Sequence, residues 1–240
     1  MPTVRPSIFQ AISATTTVTP PGGYQAGDLL LAFLSYESLS WTATLTGGTP
    51  EWEPLTSKVT SSGTGSSTLG VLASGIWWKP ATAGETSWTL GGGPEVDGAY
   101  MAMAVVTVAD ALLEAPQFAV SADQTSTVSG TMLTSITSPA GPTPALGDME
   151  LRWVGGDNYP TSASRAWTAP GVTTEVADLS ADYVAAQLTR QNTASTAARA
   201  HTVSPGVYAA HGFTLRIRPA AVATATVLSP VAAVHRAAHW

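Results

Sequence analysis

Four histidines and a scattered set of carboxylates are the residues of this chain that could bind a metal or move protons. His235 and His239 lie four positions apart, so a helix would place both imidazoles on one face, a spacing that suits a metal ion. Two ligands do not make a site, and neither a nearby carboxylate nor a third histidine accompanies the pair in sequence. We therefore expect a surface pair, with no metal and no cofactor.

The sequence lacks the short motifs that mark common catalytic sites. A nucleophile elbow, a phosphate-binding P-loop and a His-Glu-x-x-His zinc motif are all absent. We therefore predict that the protein is not an enzyme. The alternative is a glycan hydrolase, which would need two carboxylates about 5 to 10 Å apart in an open cleft.

A Gly-Asp dipeptide stands twice directly before an apolar, strand-like run. Gly27 and Asp28 precede "LLLAFLSY", and Gly147 and Asp148 precede "MELRWVG". Glycine can adopt the positive φ that a tight entry to a strand requires, and aspartate can cap such a turn through the backbone. We predict turn chemistry at both places; the alternative is that Asp28 and Asp148 form a catalytic carboxylate pair.

Eight tryptophans give the chain its main candidates for recognition. Trp77 and Trp78 are adjacent, so on a strand they point to opposite faces, and one can fill the core while the other looks outward. An outward tryptophan can stack on a sugar ring or anchor a subunit interface. The alternative is that a loop of the same domain covers it.

Composition excludes several classes of function. The net charge of −6 and the absence of a basic patch argue against nucleic-acid binding. The chain contains no cysteine, so disulfide scaffolds and thiolate chemistry are excluded. No run of about 20 apolar residues predicts a membrane span, and the N-terminus lacks the apolar core of a secretory signal.

Strand-like runs separated by turn residues predict an all-β fold, an antiparallel two-sheet sandwich of jelly-roll type. "GDMELRWVGGDN" matches "GDLLLAFLSYES", "ARAHTV" stands where "TSWTL" stood, and "VYAAHGFTLRIRPA" answers "AYMAMAVVTVADA". We therefore predict one sandwich domain over 1–219, built from related halves at about 1–115 and 116–219. "AYMAMAVVTVADA" favours a strand over a helix, and "DLSADYVAAQLTRQ" has a short helix as its alternative.

Residues 220–240 differ in composition from the rest. This apolar arm contains one firm charge, Arg236, and is interrupted by Pro230. We expect it to pack against another subunit through Val231, Val234 and Trp240; the alternative is an arm folded back on its own domain.

The strand and turn motifs resemble β-sandwich structural proteins of tailed bacteriophages that infect actinobacteria, often minor tail or other virion proteins. The resemblance covers about residues 8–218. The matching residues are Pro20, Pro21, Gly22, Ala26, Gly27, Asp28, Trp77, Trp78, Lys79, Ala81 to Glu85, Ser87 and Trp88. The proline that usually follows the glutamate of the family's turn is replaced by Thr86.

The resemblance implies an assembly role in the virion, with synthesis in the host cytoplasm. We expect a minor tail protein that contacts other virion proteins and self-associates, for which a trimer suits both tail and capsid. A capsid decoration protein and a carbohydrate-binding host-adhesion module are the alternatives. In the last case a tryptophan such as Trp77 or Trp78 would bind a host-surface glycan.

Overall fold

The computed structural model describes residues 1–12, 15–38, 40–61, 71–92, 100–126, 131–157 and 163–221. Eighteen strands and no helix lie within these ranges. The strands of the first half are β1 (Thr3–Val4), β2 (Phe9–Ala11), β3 (Thr17–Val18), β4 (Leu29–Tyr36), β5 (Thr44–Thr46), β6 (Glu53–Ser61), β7 (Val71–Pro80), β8 (Trp88–Gly91) and β9 (Met101–Ala109). The strands of the second half are β10 (Gln117–Val120), β11 (Gln124–Thr125), β12 (Leu133–Ser138), β13 (Met149–Asp157), β14 (Ala166–Thr168), β15 (Thr174–Ser180), β16 (Val184–Gln191), β17 (Arg199–Val207) and β18 (Ala209–Ile217).

The two halves repeat the same sheet order. In the first half, a six-stranded sheet has the order β1-β9-β4-β7-β6, with β2 also paired to β9, beside a three-stranded sheet β3-β8-β5. In the second half, β10-β18-β13-β16-β15, with β11 also paired to β18, lies beside β12-β17-β14. Each strand of the first half thus has a counterpart nine strands later. All pairings between these strands are antiparallel, so the predicted all-β antiparallel sandwich is confirmed.

The four sheets stack in four layers because both faces of each large sheet are covered. All eight residues of β4 are buried, which a one-sided strand would not allow. Leu29, Leu31 and Phe33 pack into one cluster, whereas Leu30 and Ala32 pack into another. This division follows the alternation of side chains along a strand. The continuous apolar run in the sequence therefore corresponds to a strand with two buried faces.

Three interior layers result from this stacking. The middle layer lies between the two large sheets and contains Phe33, Ile76, Trp153 and Phe213. The first inner layer lies between the large and small sheets of the first half and contains Leu34, Trp77, Trp88 and Met103. The second inner layer is its counterpart in the second half and contains Val154, Trp167 and Val203.

Two local alternatives from the sequence are decided by these strands. "AYMAMAVVTVADA" contributes β9, as its valine and threonine content favoured. The helix alternative for "DLSADYVAAQLTRQ" is wrong, because this segment supplies the end of β15 and all of β16. Its small and β-branched residues pack between two sheets, and this packing outweighs a weak helical pattern.

Candidate functional site

Both strand-entry turns lie at one end of the molecule, which we call the base. Gly27 and Gly147 adopt φ values of +88° and +87°, in the left-handed region. Asp28 Oδ2 accepts a hydrogen bond from Gln25 N at 2.7 Å, and Asp148 Oδ2 accepts one from Ala145 N at 2.6 Å. Each aspartate therefore closes the turn before its own strand, and the two turns have the same construction.

Each of these buried aspartates also binds an arginine of its own half. Asp28 forms a two-pronged contact with Arg5, at 2.6 Å to Nε and 2.9 Å to the second guanidinium nitrogen. Asp148 forms an ion pair with Arg216 at 2.6 Å. In both turns the carboxylate oxygens are occupied by a backbone N–H and a guanidinium of the same half. The two residues therefore act as structural clasps at the base.

Residues 218–220 lie at the base, near two exposed leucines. Ala111 forms an isolated bridge with Pro219, and Leu112 N donates to Arg218 O at 2.9 Å. Leu146 is 101% exposed and Leu113 is 43% exposed. We call Leu113, Leu146 and Pro219 the base surface. Large apolar side chains at such exposure are candidates for contact with a partner.

Leu146 belongs to this surface because the residue after it, Gly147, lies beside Pro219. A Cβ placed on Gly147 would lie 3.5 Å from Pro219 Cγ. Glu114, which follows Leu113, forms an ion pair with Arg218. The two leucines are therefore tied through their neighbours to the same short segment.

The predicted contact residues of the arm fall outside the described part of the chain. Val231, Val234 and Trp240 lie in residues 222–240, and so do His235 and His239. The metal alternative for that pair lies outside it as well. Among the described residues, no cluster of three or more metal-ligating side chains occurs, and no helix there is long and apolar enough to cross a membrane.

Trp77 and Trp78 both pack into hydrophobic layers. Trp77 is 3% exposed and lies 5.1 Å from Trp41 in the first inner layer, measured between ring centroids. Trp78 is half-buried against the middle layer. Because β7 is covered on both sides, neither ring stands clear of the protein as an outward stacking platform would. The glycan-binding alternative therefore finds no support in their placement.

A buried ion pair that the sequence did not reveal lies in the first inner layer. Lys79 Nζ lies 2.7 Å from Glu85 Oε2 and 5.7 Å from the ring centroids of both Trp52 and Trp88. Burial alone would raise the pKa of Glu85, but hydrogen bonds from Lys79, Thr82 and Trp88 outweigh it and lower that pKa. The turn Thr82 to Glu85, part of the matched segment Ala81 to Glu85, thus holds the carboxylate of this pair in place.

A loop covers the Lys79 and Glu85 pair from outside. A Cβ at Gly48 would overlap both Lys79 Nζ and Glu85 Oε2. Above it lies an open polar cleft of about 330 Å³ lined by residues of the two turns 48–49 and 82–87. Since the charges are already paired beneath the loop, the cleft offers a ligand mainly backbone and hydroxyl groups.

A second buried polar cluster surrounds Arg152 in the second half. Its guanidinium donates to Glu150 Oε1 at 2.6 Å, to Ser138 Oγ at 2.9 Å and to the carbonyls of Pro139 and Ala197. His201 Nε2 lies 3.1 Å from the same Ser138 Oγ. Burial and then the charge of Arg152 lower the pKa of His201 to about 3. This histidine is therefore neutral at neutral pH.

A serine and a histidine also meet in the middle layer. His211 Nδ1 lies 3.0 Å from Ser74 Oγ, and Ser74 Oγ lies 2.8 Å from Ser35 Oγ. All three side chains are fully buried. Burial and then the charge of Lys58 lower the pKa of His211 to about 3, against the opposing charge of Asp123. A nucleophile and base at this place have no route to a substrate, so the contact joins the two halves.

Comparison with known proteins gives no relative: no family model, no curated protein and no solved structure matches the chain. The residues and geometry above are therefore the whole basis for a functional conclusion.

Proposed function

We propose that this protein is a structural component of a tailed-bacteriophage virion, a minor tail protein that docks through the base surface and its C-terminal arm. The observation that carries the proposal is the base surface itself. Leu146 is fully exposed beside the point where the chain passes into a mostly apolar segment, residues 222–240. Exposed apolar residues continuous with an apolar tail suit contact with a neighbouring subunit.

The placement of the motif residues supports an architectural role. Gly27, Asp28, Lys79, Glu85 and Trp88 carried the resemblance to virion proteins, and each serves a turn, an ion pair or an interior layer. None of them faces an open, empty cleft with its charge unpaired. Four stacked sheets, of which the two large ones are covered on both faces, offer the rigidity that a virion part requires.

The strand order within each half also supports the predicted sandwich of jelly-roll type. β2-β9-β4-β7 beside β3-β8-β5 follows the order of that architecture, which viral capsid and lectin domains use. Self-association of the protein, for which a trimer suits both tail and capsid, is part of the same proposal.

Virion incorporation of full-length variants tests the proposal. Phage carrying Leu146→Glu or a deletion of residues 222–240 should yield particles depleted of the protein, as measured by quantitative immunoblot of purified virions. Ile12→Glu is the matched control, because Ile12 is 49% exposed at the end of β2, away from the base. It should leave incorporation unchanged.

Immunogold labelling of wild-type particles locates the protein within them. Gold on tails supports the minor tail assignment, whereas gold on heads would replace it with a capsid decoration role. Particles that contain none of the wild-type protein would overturn the virion proposal altogether.

A further inference from the structure

The contacts between the two large sheets have approximate two-fold symmetry. β4 packs against β13, its own counterpart. β9 packs against β16, and their counterparts β18 and β7 also pack against each other. Exchange of the two halves therefore maps the set of contacts onto itself. This is the property of an isologous interface, which is the usual interface of a homodimer.

Residues at equivalent positions touch each other, as they must on a two-fold axis. Phe33 and Trp153 are each the sixth residue after the strand-entry glycine, and their rings stack at a centroid distance of 5.6 Å. Ser35 and Gly155 are each the eighth residue after it. A Cβ placed on Gly155 would overlap Ser35 Oγ. Two successive pairs of equivalents thus lie on the same line between the sheets.

The pseudo-axis continues to the base. The segment 110–112 after β9 pairs antiparallel with the segment 218–220 after β18, through Leu112 N to Arg218 O and Ala220 N to Asp110 O. Because β9 and β18 are counterparts, this pairing again joins equivalent parts of the halves. The Phe33 and Trp153 pair, the Ser35 and Gly155 pair and these two segments are therefore all consistent with one two-fold axis.

The two residues of each pair on the axis differ in type. Each half therefore fits the other half better than it would fit a copy of itself. Trp153 Nε1 donates to Ser35 Oγ at 3.0 Å, a bond that neither Phe33 nor Gly155 could make in a pair of identical halves. The space for the Ser35 side chain exists because its equivalent is glycine. A pair of first halves would bring Ser35 against Ser35 and would leave out the tryptophan.

We propose that the chain is a covalently joined dimer of one sandwich unit, in which the middle face of each half is a binding surface specific for the other half. The partner that fits the face of the first half is a copy of the second half, from the same chain or from another. This interface does not depend on the proposed virion role, since it is argued from contacts between the two halves and not from the exposure of Leu113 and Leu146.

Exchange of the residues across the axis tests the symmetry. Gly155→Ser in the full chain should lower the equilibrium constant for folding at least about tenfold, because the added side chain meets Ser35. Ser35→Gly with Gly155→Ser moves the side chain to the other half and should restore most of the loss. Gly171→Ala is the control, since a Cβ there would contact nothing. A double variant as unstable as Gly155→Ser alone would overturn the two-fold relation.

Cleavage of the linker tests the binding surface. A protease site inserted between Glu114 and Ala115, where residue 115 is exposed, allows the folded full chain to be cut between its halves. The two fragments should co-elute at the size of the uncut protein, and separation in native buffer would contradict the proposal. When the cut protein is unfolded and refolded, the complexes that form should contain one first half and one second half. Recovery of mainly first-half pairs would refute the selectivity.

Discussion

The two inner layers share one topology and yet differ in chemistry at several equivalent positions. In the first half, Leu30 and Ala32 of the large sheet pack with Trp88 of the small sheet in an apolar cluster. At the equivalent positions the second half has Glu150, Arg152 and His201, all buried. The backbone arrangement therefore does not dictate the chemistry of the interior. The buried charge of Arg152 is tolerated because its guanidinium donates to Glu150, Ser138 and two carbonyls.

The strongest way to break this comparison is to remove the guanidinium. Arg152→Ala leaves Glu150 buried without its cation and should lower the free energy of unfolding by about 3 to 5 kcal/mol. Glu150→Leu with Arg152→Ala copies the first half, where Leu30 and Ala32 stand, and should recover much of that loss. Urea denaturation measures both, and a double variant no more stable than the single one would show that the layers are not comparable.

Acid should act on the polar layer in the same direction. His201 has a pKa of about 3 in the folded protein, against about 6.5 in the unfolded chain. The unfolded chain thus binds the proton first, so stability is full above pH 6.5 and is lost as the pH falls towards 3. The loss for this residue should reach about 2 to 3 kcal/mol at pH 4.5.

His211 titrates alongside it, with a pKa of about 3 and with Lys58 and Asp123 nearby. His201→Gln should therefore lower the slope of unfolding free energy against pH by up to about 1.4 kcal/mol per pH unit, the effect of one proton, between about pH 6.5 and 3.5, as measured by urea titrations. An unchanged slope would mean that His201 is not the residue that carries it.

The ion pair of the first half should be less sensitive than that of the second. Lys79→Gln places there the residue that the second half has as Gln191, and should cost about 2 kcal/mol. The cost is moderate because Glu85 keeps the hydroxyl of Thr82 and the indole of Trp88 as donors. A loss as large as that of Arg152→Ala would contradict this ranking.

The two strand-entry turns should respond alike, because there the halves agree. Gly27→Ala and Gly147→Ala each force an alanine into the left-handed region and should each cost about 1 kcal/mol in thermal or urea unfolding. If the two losses of unfolding free energy differed by more than about 1 kcal/mol, the two turns would not be equivalent.

The sequence predicted the shared features better than the differing ones. The repeated Gly-Asp and the run after it identified β4 and β13, because turn geometry and burial act on neighbours in the chain. The predicted match of "TSWTL" with "ARAHTV" agrees with the equivalent places of β8 and β17 in the two halves. What could not be predicted is that Glu150 and Arg152 are buried. Their alternation is typical of a solvent-facing strand, and the partners Ser138, in β12, and Ala197, in the segment before β17, are distant in the chain.

The covering of both large sheets by a shared middle layer is the central claim, and native-state hydrogen exchange tests it most directly. Leu29–Tyr36 and Met149–Asp157 are entirely buried at the centre of their sheets. Their amides should exchange only through global unfolding and with the same free energy in both strands. If either strand exchanged with a clearly lower free energy than the other, the two halves would open independently, and the account of a single four-layered unit would be wrong.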